Sequence, residues 1–318
     1  MQGGIPPGGR VAAEGTVAPA RFNIVMRTKN RPLLLQRALD DVLAQSVSDW
    51  VLTVVNDGGS AGLVDALVNE RAERFGGRVR VIHHDASVGM EEASNIGVRA
   101  VESTFVAIHD DDDTWHADFL SITGAWLQAQ PSAVAVAVRT EIIWESIDGA
   151  SVREQGRETF LPALVQVTLF DLMRFNTCVP ISMLYRRAPL IEVGLFDGSL
   201  PVTGDWEANL RLAARGEIGF LSGPALAFWH QRPNEHGDAG NSVVALRDDH
   251  GRFDRLVRDR ALREYVASEG AGLPLYLTRL LDDRFDELAR RLDRLEAVAG
   301  DTAFRRAKSR VKRALGRG

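Results

Sequence analysis

Cysteine is almost missing from this 318-residue chain. Cys178 stands alone, so no internal disulfide can form, and the composition suits a reducing compartment. Lysine is absent between Lys29 and Lys308. No apolar run approaches the roughly 18 residues that a membrane-spanning helix needs, and no internal repeat is visible. Positive charge is not in excess: 38 Lys and Arg stand against 43 Asp and Glu, for a net charge of −5, which argues against nucleic acid as a partner. What is present is an ordinary globular balance, 45% hydrophobic and 25% charged, in a chain long enough for one large or two small domains. Residues 1–20, MQGGIPPGGRVAAEGTVAPA, hold Gly, Pro and Ala without an apolar segment. They are expected to form a disordered tail and not a signal peptide.

From residue 22 the pattern alternates strand with helix. FNIVMR (22–27), WVLTVV (50–55), VRVIH (79–83) and FVAIH (105–109) read as short buried strands. Asn30 is placed to cap a helix opened by Pro32, whose Leu35, Ala38, Leu39, Val42 and Leu43 share one face. The second strand ends in the turn NDGG (56–59), and helices are expected near 61–75 and from Met90 to Val101. Such alternation implies right-handed βαβ units and a mostly parallel sheet, with ligands bound beyond the carboxyl ends of the strands. After residue 131 the pattern loosens. VAVAVRTEIIW (134–144) reads as one long strand or half a hairpin. CVPISMLYRR (178–187) reads as extended. GDWEANLRLAARG (204–216) reads as a helix, IGFLSG and ALAFWH as strands, and 163–175, 243–268 and 275–298 as helices.

The strand FVAIH runs into four consecutive aspartates, Asp110 to Asp113, with no basic neighbour except His109 and His116. Like charges at this spacing raise one another's pKa values unless something positive is close. A solvated turn capping a helix near His116 needs only one of the four, such as Asp113, or Thr114 beside them. An EF-hand would require Gly and Glu where Trp115 and Ser121 stand, so calcium in that form is excluded. A divalent metal shared with a phosphorylated substrate accounts for more: Asp110, Asp112 and Asp113 would share metal and ribose, with Asp111 turned elsewhere. The same residues, read as D-x-D-x-T, resemble the nucleophile motif of haloacid-dehalogenase-like phosphatases. The later Lys is missing, however, and the candidate acidic motif GDWEAN ends in Asn209.

Five segments in order carry a stronger resemblance, over roughly residues 22–235: RTKNRPLLLQRALDDVLAQS, VVNDGG, VGMEEASNIGVRA, VAIHDDDDTW and FDGSLPVTGDWEANLRLAARGEIGFL. Together they resemble the family 2 glycosyltransferases, inverting enzymes of the GT-A fold with a DXD motif. The resemblance implies an α/β, Rossmann-like, mostly parallel sheet with helices on both faces and a C-terminal helical extension. It divides the chain into a nucleotide-sugar-binding half (21–131), an acceptor-side half (132–242) and the extension (243–318). Thr28, Asn30, Arg31, Asp57, Gly89, Asn95, Asp110 and Asp111 are implied donor contacts. Asp112, Asp110 and His230 are implied contacts to a divalent metal, Mn²⁺ or Mg²⁺. Asp205 is implied as the general base, with Glu207 as its understudy. Asp57 is equally a turn-former, Asp205 a helix-opening acid and His230 a hydrogen-bonded strand-end residue. His236, Asp238 and Asn241 lie in a loop that could close over donor; Trp115 and Trp206 could stack on sugar. Departures from the pattern are Lys29, Asn56, Ser94 and, where a Glu usually precedes the base, Gly204.

The implied reaction moves a sugar from a nucleotide donor, UDP- or dTDP-linked, to a hydroxyl of a glycan or lipid-linked glycan, as in cell-surface polysaccharide synthesis. A catalytically degenerate domain that binds glycans or serves as a scaffold is the alternative. Leu281, Phe285, Leu288, Leu292 and Leu295 form a seam of about two heptads, which packs on the catalytic domain or makes a homodimer. Residues 301–318 hold seven basic residues and one acidic, leaving the other 300 residues at −11. With Phe304, Ala307, Val311 and Leu315 at helical spacing, this segment suits an anionic membrane surface as well as a solvated helix. The expected location is cytoplasmic, with peripheral contact at the inner face of the membrane.

Overall fold

The computed structural model describes residues 9–11, 20–149, 151–235, 237, 247–299, 308 and 311. The chain divides into two compact units, Met1–Asp254 and Arg255–Gly318. The first is an α/β unit built on an eight-stranded sheet. Four strands in it are parallel: β2 (Ala20–Thr28), β3 (Trp50–Asp57), β4 (Val79–His84) and β5 (Ser103–Asp110). Every residue of β3 and residues 22–28 of β2 are buried, so these strands are largely apolar on both faces, broken by Asn23 and Thr53, and do not alternate.

Helices α1 (Pro32–Leu43), α2 (Ala61–Asn69), α3 (Ala72–Phe75) and α4 (Met90–Ala100) connect them. The buried face of α1 is Leu34, Leu35, Ala38, Leu39 and Val42, close to the face read from spacing. Arg31 is its N-cap, without a side-chain cap bond; Asn30 instead adopts φ 53° and its Oδ1 accepts from Ser60 N at 3.1 Å. The expected Asn30 cap is therefore replaced by a cross-link between two turns. Helix α4 lies directly on β2 because Gly97 has no side chain: a Cβ there would sit 2.3 Å from Val25 Cγ1.

An edge strand, β1 (Gly9–Val11), pairs antiparallel with β4, Gly9 opposite His84. The disorder expected over 1–20 does not hold for these three residues or for Ala20, which opens β2; 1–8 and 12–19 lie outside the described residues. Beyond β6 (Thr114–Trp115) and α5 (Phe119–Ala129), the stretch read as one strand or half a hairpin is two strands in two sheets. β7 (Ala133–Val138) belongs to the large sheet, and β8 (Thr140–Asp148) to a second, four-stranded one. Arg139 makes the switch: its N–H bonds Leu221 O at 2.9 Å, and its carbonyl accepts from Leu226 N at 3.0 Å. β8 then turns back as β9 (Ser151–Thr159), so half of a hairpin is right for 140–144, and only its return strand was not read from the pattern. The remaining elements are α6 (Leu169–Arg174), β10 (Met183–Arg186), α7 (Arg187–Glu192), α8 (Gly204–Ala213), β11 (Glu217–Leu221) and β12 (Ala227–Gln231).

The large sheet runs β1-β4-β3-β2-β5-β10-β7-β11, and the small one β6-β12-β8-β9. The carboxyl ends of β2, β3 and β5 therefore open on one edge. Helices α9 (Arg247–Glu269) and α10 (Gly272–Ala299) follow, close to the expected spans. Among the described residues no helix is long and apolar enough to cross a membrane.

Candidate active site

The parallel register of β2 and β5 sets Arg27 opposite Asp110, each at or near the end of its strand. The guanidinium Nε donates to Asp110 Oδ1 at 2.8 Å. Arg31, at the mouth of α1, pairs with Asp111 at 2.6 Å and Asp112 at 3.1 Å. Arg232, just past β12 and wholly buried, pairs with Asp112 and with Glu145 of β8. Asp113 Oδ1 accepts from His230 N at 2.8 Å. The charge of the aspartate block is thus met by three arginines distant in sequence, which the stretch itself, flanked only by His109 and His116, did not reveal.

Each carboxyl responds to its own surroundings. Burial pushes Asp111 up to about 6, against the pull of Arg31. Burial and the neighbouring Asp112 and Asp110 hold Asp113 well above the carboxylate range. Asp112 is equally buried, but Arg31 and Arg232 keep it low. Glu145 is buried too, yet hydrogen bonds from His230 and Arg37 bring it down to about 2. The neutral form of His230 is favoured by burial.

A divalent cation is implied here, so the fit of these residues matters. Asp110 and Asp112 are hard oxygen donors, and Mg²⁺ ordinarily takes only one or two protein carboxylates with phosphate oxygens completing the shell. His230 does not join them: its Nδ1 lies 2.8 Å from Glu145 Oε2 and its Nε2 2.8 Å from Thr114 Oγ1. Among the described residues no three His, Cys, Asp or Glu side chains converge on one point as a metal cage. The set fits a cation shared with a bound diphosphate and not one held by protein alone. His230, expected on the metal, is instead the brace between Glu145 and β6.

Beside Asp110 opens a cavity of about 380 Å³. Its polar lining includes Arg27, Glu91, Asp110, Asn176 and Asp205; Phe160, Phe175 and Trp229 are among its apolar walls. Asp205 arrives on the first turn of α8 and accepts from Asn176 Nδ2 at 2.8 Å. Burial raises its pKa, while the bonds from Asn176 and the Trp206 N–H oppose the rise. Glu207 is not brought here: Arg211 holds it at 2.7 Å, and it lines a separate hollow with Glu92 and Arg99.

Other expected residues are committed elsewhere. Asp57 accepts from Ser87 Oγ (2.6 Å), Val88 N (2.7 Å) and Gly89 N (3.2 Å), so it organises the turn before α4. Asn95 clamps Phe196 with both ends of its amide, at 2.8 and 3.0 Å. Thr28 is buried beside Asp111 and helps to favour that carboxyl's charged form. Trp115 is 4% exposed and stacks on Phe119 at 4.2 Å, out of reach of a sugar, whereas Trp206 lines the cavity. His236, Asp238 and Asn241 lie outside the described residues. Reading the sequence missed Arg27, Arg232, Glu145, Asn176 and Glu91. Only Arg27 carried a signal, a lone cation ending a buried strand.

Glu91 is 6% exposed, and its pKa is pushed up to about 8, chiefly by burial and then by Asp205 and Asp110, against the pull of Arg27. A carboxyl that ionises later in the folded than in the unfolded state stabilises below its unfolded value, 4.5, and loses that contribution as pH rises through about 8. Glu91→Gln is therefore expected to flatten the decline in unfolding free energy between about pH 5 and pH 8. Urea titrations at both ends of that range check this, and parallel wild-type and variant trends would contradict it.

The profile described as glycosyl transferase family 2 matches residues 23–194, just over half of the chain. A PGL/p-HBAD biosynthesis glycosyltransferase of Mycobacterium tuberculosis is 28% identical over 239 residues, 72% of this chain and 82% of that protein. An uncharacterized glycosyltransferase of Bacillus subtilis, YwdF, is 26% identical over 194 residues, 61% of this chain and 68% of that protein. Among solved structures, the mannosyltransferase PcManGT from Pyrobaculum calidifontis, in complex with GDP-Man and Mn²⁺, superposes with a TM-score of 0.56. It is 18% identical and covers 95% of this chain and 82% of its own. S. aureus TarS 1-349 in complex with UDP-GlcNAc gives 0.56 at 17% identity, over 70% of this chain. This chain spans 61% of that one, short of two thirds.

Proposed function

This chain belongs to glycosyl transferase family 2, and on that premise we propose that it transfers a sugar, with inversion, from a nucleotide-sugar donor to a hydroxyl of a glycan or lipid-linked glycan. The observation that carries the reading is the cavity where Asp205 and Asp110 stand together beside Arg27, at the carboxyl edge of the parallel strands. Asp205 takes the proton of the acceptor hydroxyl as that oxygen attacks the anomeric carbon, opposite the departing nucleoside diphosphate. A base needs a pKa near the working pH, and burial raises that of Asp205 in this direction. Asp110 and Asp112 would hold a divalent cation, whose contribution when bound is Lewis-acid stabilisation of the leaving diphosphate. Arg27 and Arg31 stand beside these carboxylates and offset their charge.

Phe160, Phe175 and Trp229 give the cavity an apolar side, and Phe175 leads to exposed Phe170 and Met173 on α6. That side suits an acceptor with an apolar moiety, in line with lipid-linked glycans and cell-surface glycan synthesis. The phosphatase reading has no support in the family match, and the placement of Asp205 argues against a degenerate domain.

UDP-GlcNAc, GDP-mannose and a dTDP-linked sugar, each with Mn²⁺, test the donor. The matching donor is expected to raise the unfolding midpoint, since a ligand at 100 times its Kd adds about 2.7 kcal/mol to native stability. Asp110→Asn should abolish the shift. No response to any of the three, with or without metal, would remove this reading.

In the second unit, Leu281, Phe285, Leu288, Leu292 and Leu295 of α10 are each at least half exposed. We extend the proposal to a homodimer through 275–298 and to peripheral membrane contact through 301–318, most of which lies outside the described residues, at a cytoplasmic membrane face. A chain ended after residue 272 is expected to show the mass of one truncated chain by light scattering, where the full chain shows that of two chains, and to lose salt-sensitive binding to phosphatidylserine vesicles. The same number of chains per particle in both proteins removes the dimer, and unchanged binding removes the anchor.

A further inference from the structure

Glu91 is a buried acid that the proposed transfer does not use. It sits in the first turn of α4, 6% exposed, and it lines the same cavity as Asp205. Its neighbour across the packing is Gly204, the first residue of α8. A Cβ on Gly204 would lie 2.5 Å from Glu91 Cδ, 2.6 Å from Cγ and 2.7 Å from Oε1. No real Cβ approaches that closely, so the Glu91 carboxyl fills the volume into which any side chain at 204 would project. Position 204 is where the family resemblance expects a Glu, and here the acid comes from the opposite element.

The start of α8 needs such a partner. Thr203 precedes it at φ 68°, a strained setting for a β-branched residue, and supplies no side-chain cap. The first amides of a helix have no partner within the helix. The Gly204 backbone N–H lies beside the Glu91 carboxyl and favours its charged form. Asp205 is the next residue along.

We infer that Glu91 is a positioning residue: its carboxyl, seated in the space left by Gly204, fixes the first turn of α8 and so the place of Asp205 in the cavity. The assignment rests on Asp205 being the base. Nearby acids and cations are Asp205, Asp110 and Arg27, and the role does not require Glu91 to be charged, because a neutral carboxyl or amide fills the same space.

Two arms test it, both on the full chain. The first reads stability and needs no ligand. Gly204→Ala is expected to lower the unfolding midpoint in the wild type and to be tolerated once Glu91→Ala has emptied the space. Equal effects of Gly204→Ala in both backgrounds would overturn the proposed packing. The second arm reads release of UDP from UDP-GlcNAc, or GDP from GDP-mannose, with Mn²⁺, alongside donor affinity by calorimetry. Glu91→Ala is expected to lower kcat by about 10²-fold, the scale of a misplaced reacting group, with donor Kd unchanged. Glu91→Gln should recover most of that loss. Glu91→Ala combined with Gly204→Glu, which returns a carboxyl to the same space from α8, should recover at least about tenfold if it folds. A merely structural Glu91 would lower the midpoint and leave kcat per folded molecule intact, which overturns the assignment. Loss in Glu91→Gln equal to that in Glu91→Ala does so too, since the residue would then act through charge. A wild type that turns over neither donor, together with the stability coupling, points instead to failure of the proposed donor chemistry.

Discussion

Asp205→Asn is expected to slow sugar transfer by about 10²–10⁴-fold, the usual contribution of a general base, with the donor bound as before. Asparagine keeps the size of the side chain and an oxygen to accept the 2.8 Å bond from Asn176. It cannot take a proton. Donor affinity should persist because Arg27, Asp110 and Asp112 belong to other elements and are held by ion pairs that do not involve Asp205, Arg27 with Asp110 and Arg31 and Arg232 with Asp112. Glu207 offers no substitute, since Arg211 binds it in a different hollow. Glu207→Gln should consequently leave the rate within a few-fold of wild type. Nucleoside diphosphate release measures the rate, and calorimetry measures donor affinity. A near-normal rate in Asp205→Asn would dismiss it as the base, and a loss confined to Glu207→Gln would exchange the two roles.

Much of this site was legible in the sequence because it lies at the ends of regular elements. Apolar runs ending in NDGG and HDDDD placed Asp57 and Asp110 at strand ends, and the helical spacing after Gly204 placed Asp205 in a first turn. What escaped was pairing across long separations. Arg27 meets Asp110 only because β2 and β5 are neighbours in a sheet whose order is not the order of the chain. Arg232 meets Asp112 across 120 positions, and Glu91 meets Gly204 from a different helix. Composition near a motif reports which charges are adjacent in sequence and says nothing of the charges that folding brings in. The same limit explains Asn95 and Asp57, whose spacing suited a ligand but whose hydrogen bonds go to the protein's own backbone. It also explains the β8–β9 hairpin, whose return strand is largely exposed and lacks an apolar period.

Arg232→Met is expected to cost about 3–5 kcal/mol of stability at neutral pH, the typical price of breaking a buried ion pair from one side. Arg232 has no exposed surface and bridges Asp112 and Glu145, which are 6% and 5% exposed. Arg31 would remain on Asp112 at 3.1 Å, and Arg37 on Glu145 at 2.8 Å, so each carboxylate keeps one cation and loses another. Methionine matches much of the volume, which leaves uncompensated charge, and not an empty space, as the source of the loss. The pH dependence separates the two. Glu145 ionises near 2 in the fold against an unfolded value of 4.5, so its stabilisation is present above about pH 4.5 and lost as pH falls toward 2. Without Arg232, Glu145 keeps the His230 and Arg37 bonds that hold it down, but Asp112 loses one of its two cations and its pKa rises. Protonation then relieves the variant at a pH where the wild type gains nothing. The gap between the two proteins should be widest at pH 7 and narrow toward pH 4, and Glu145→Gln should recover part of it at neutral pH. Urea unfolding at both pH values makes the comparison; a gap that does not change with pH would mean that Arg232 matters for its packing and not for its charge.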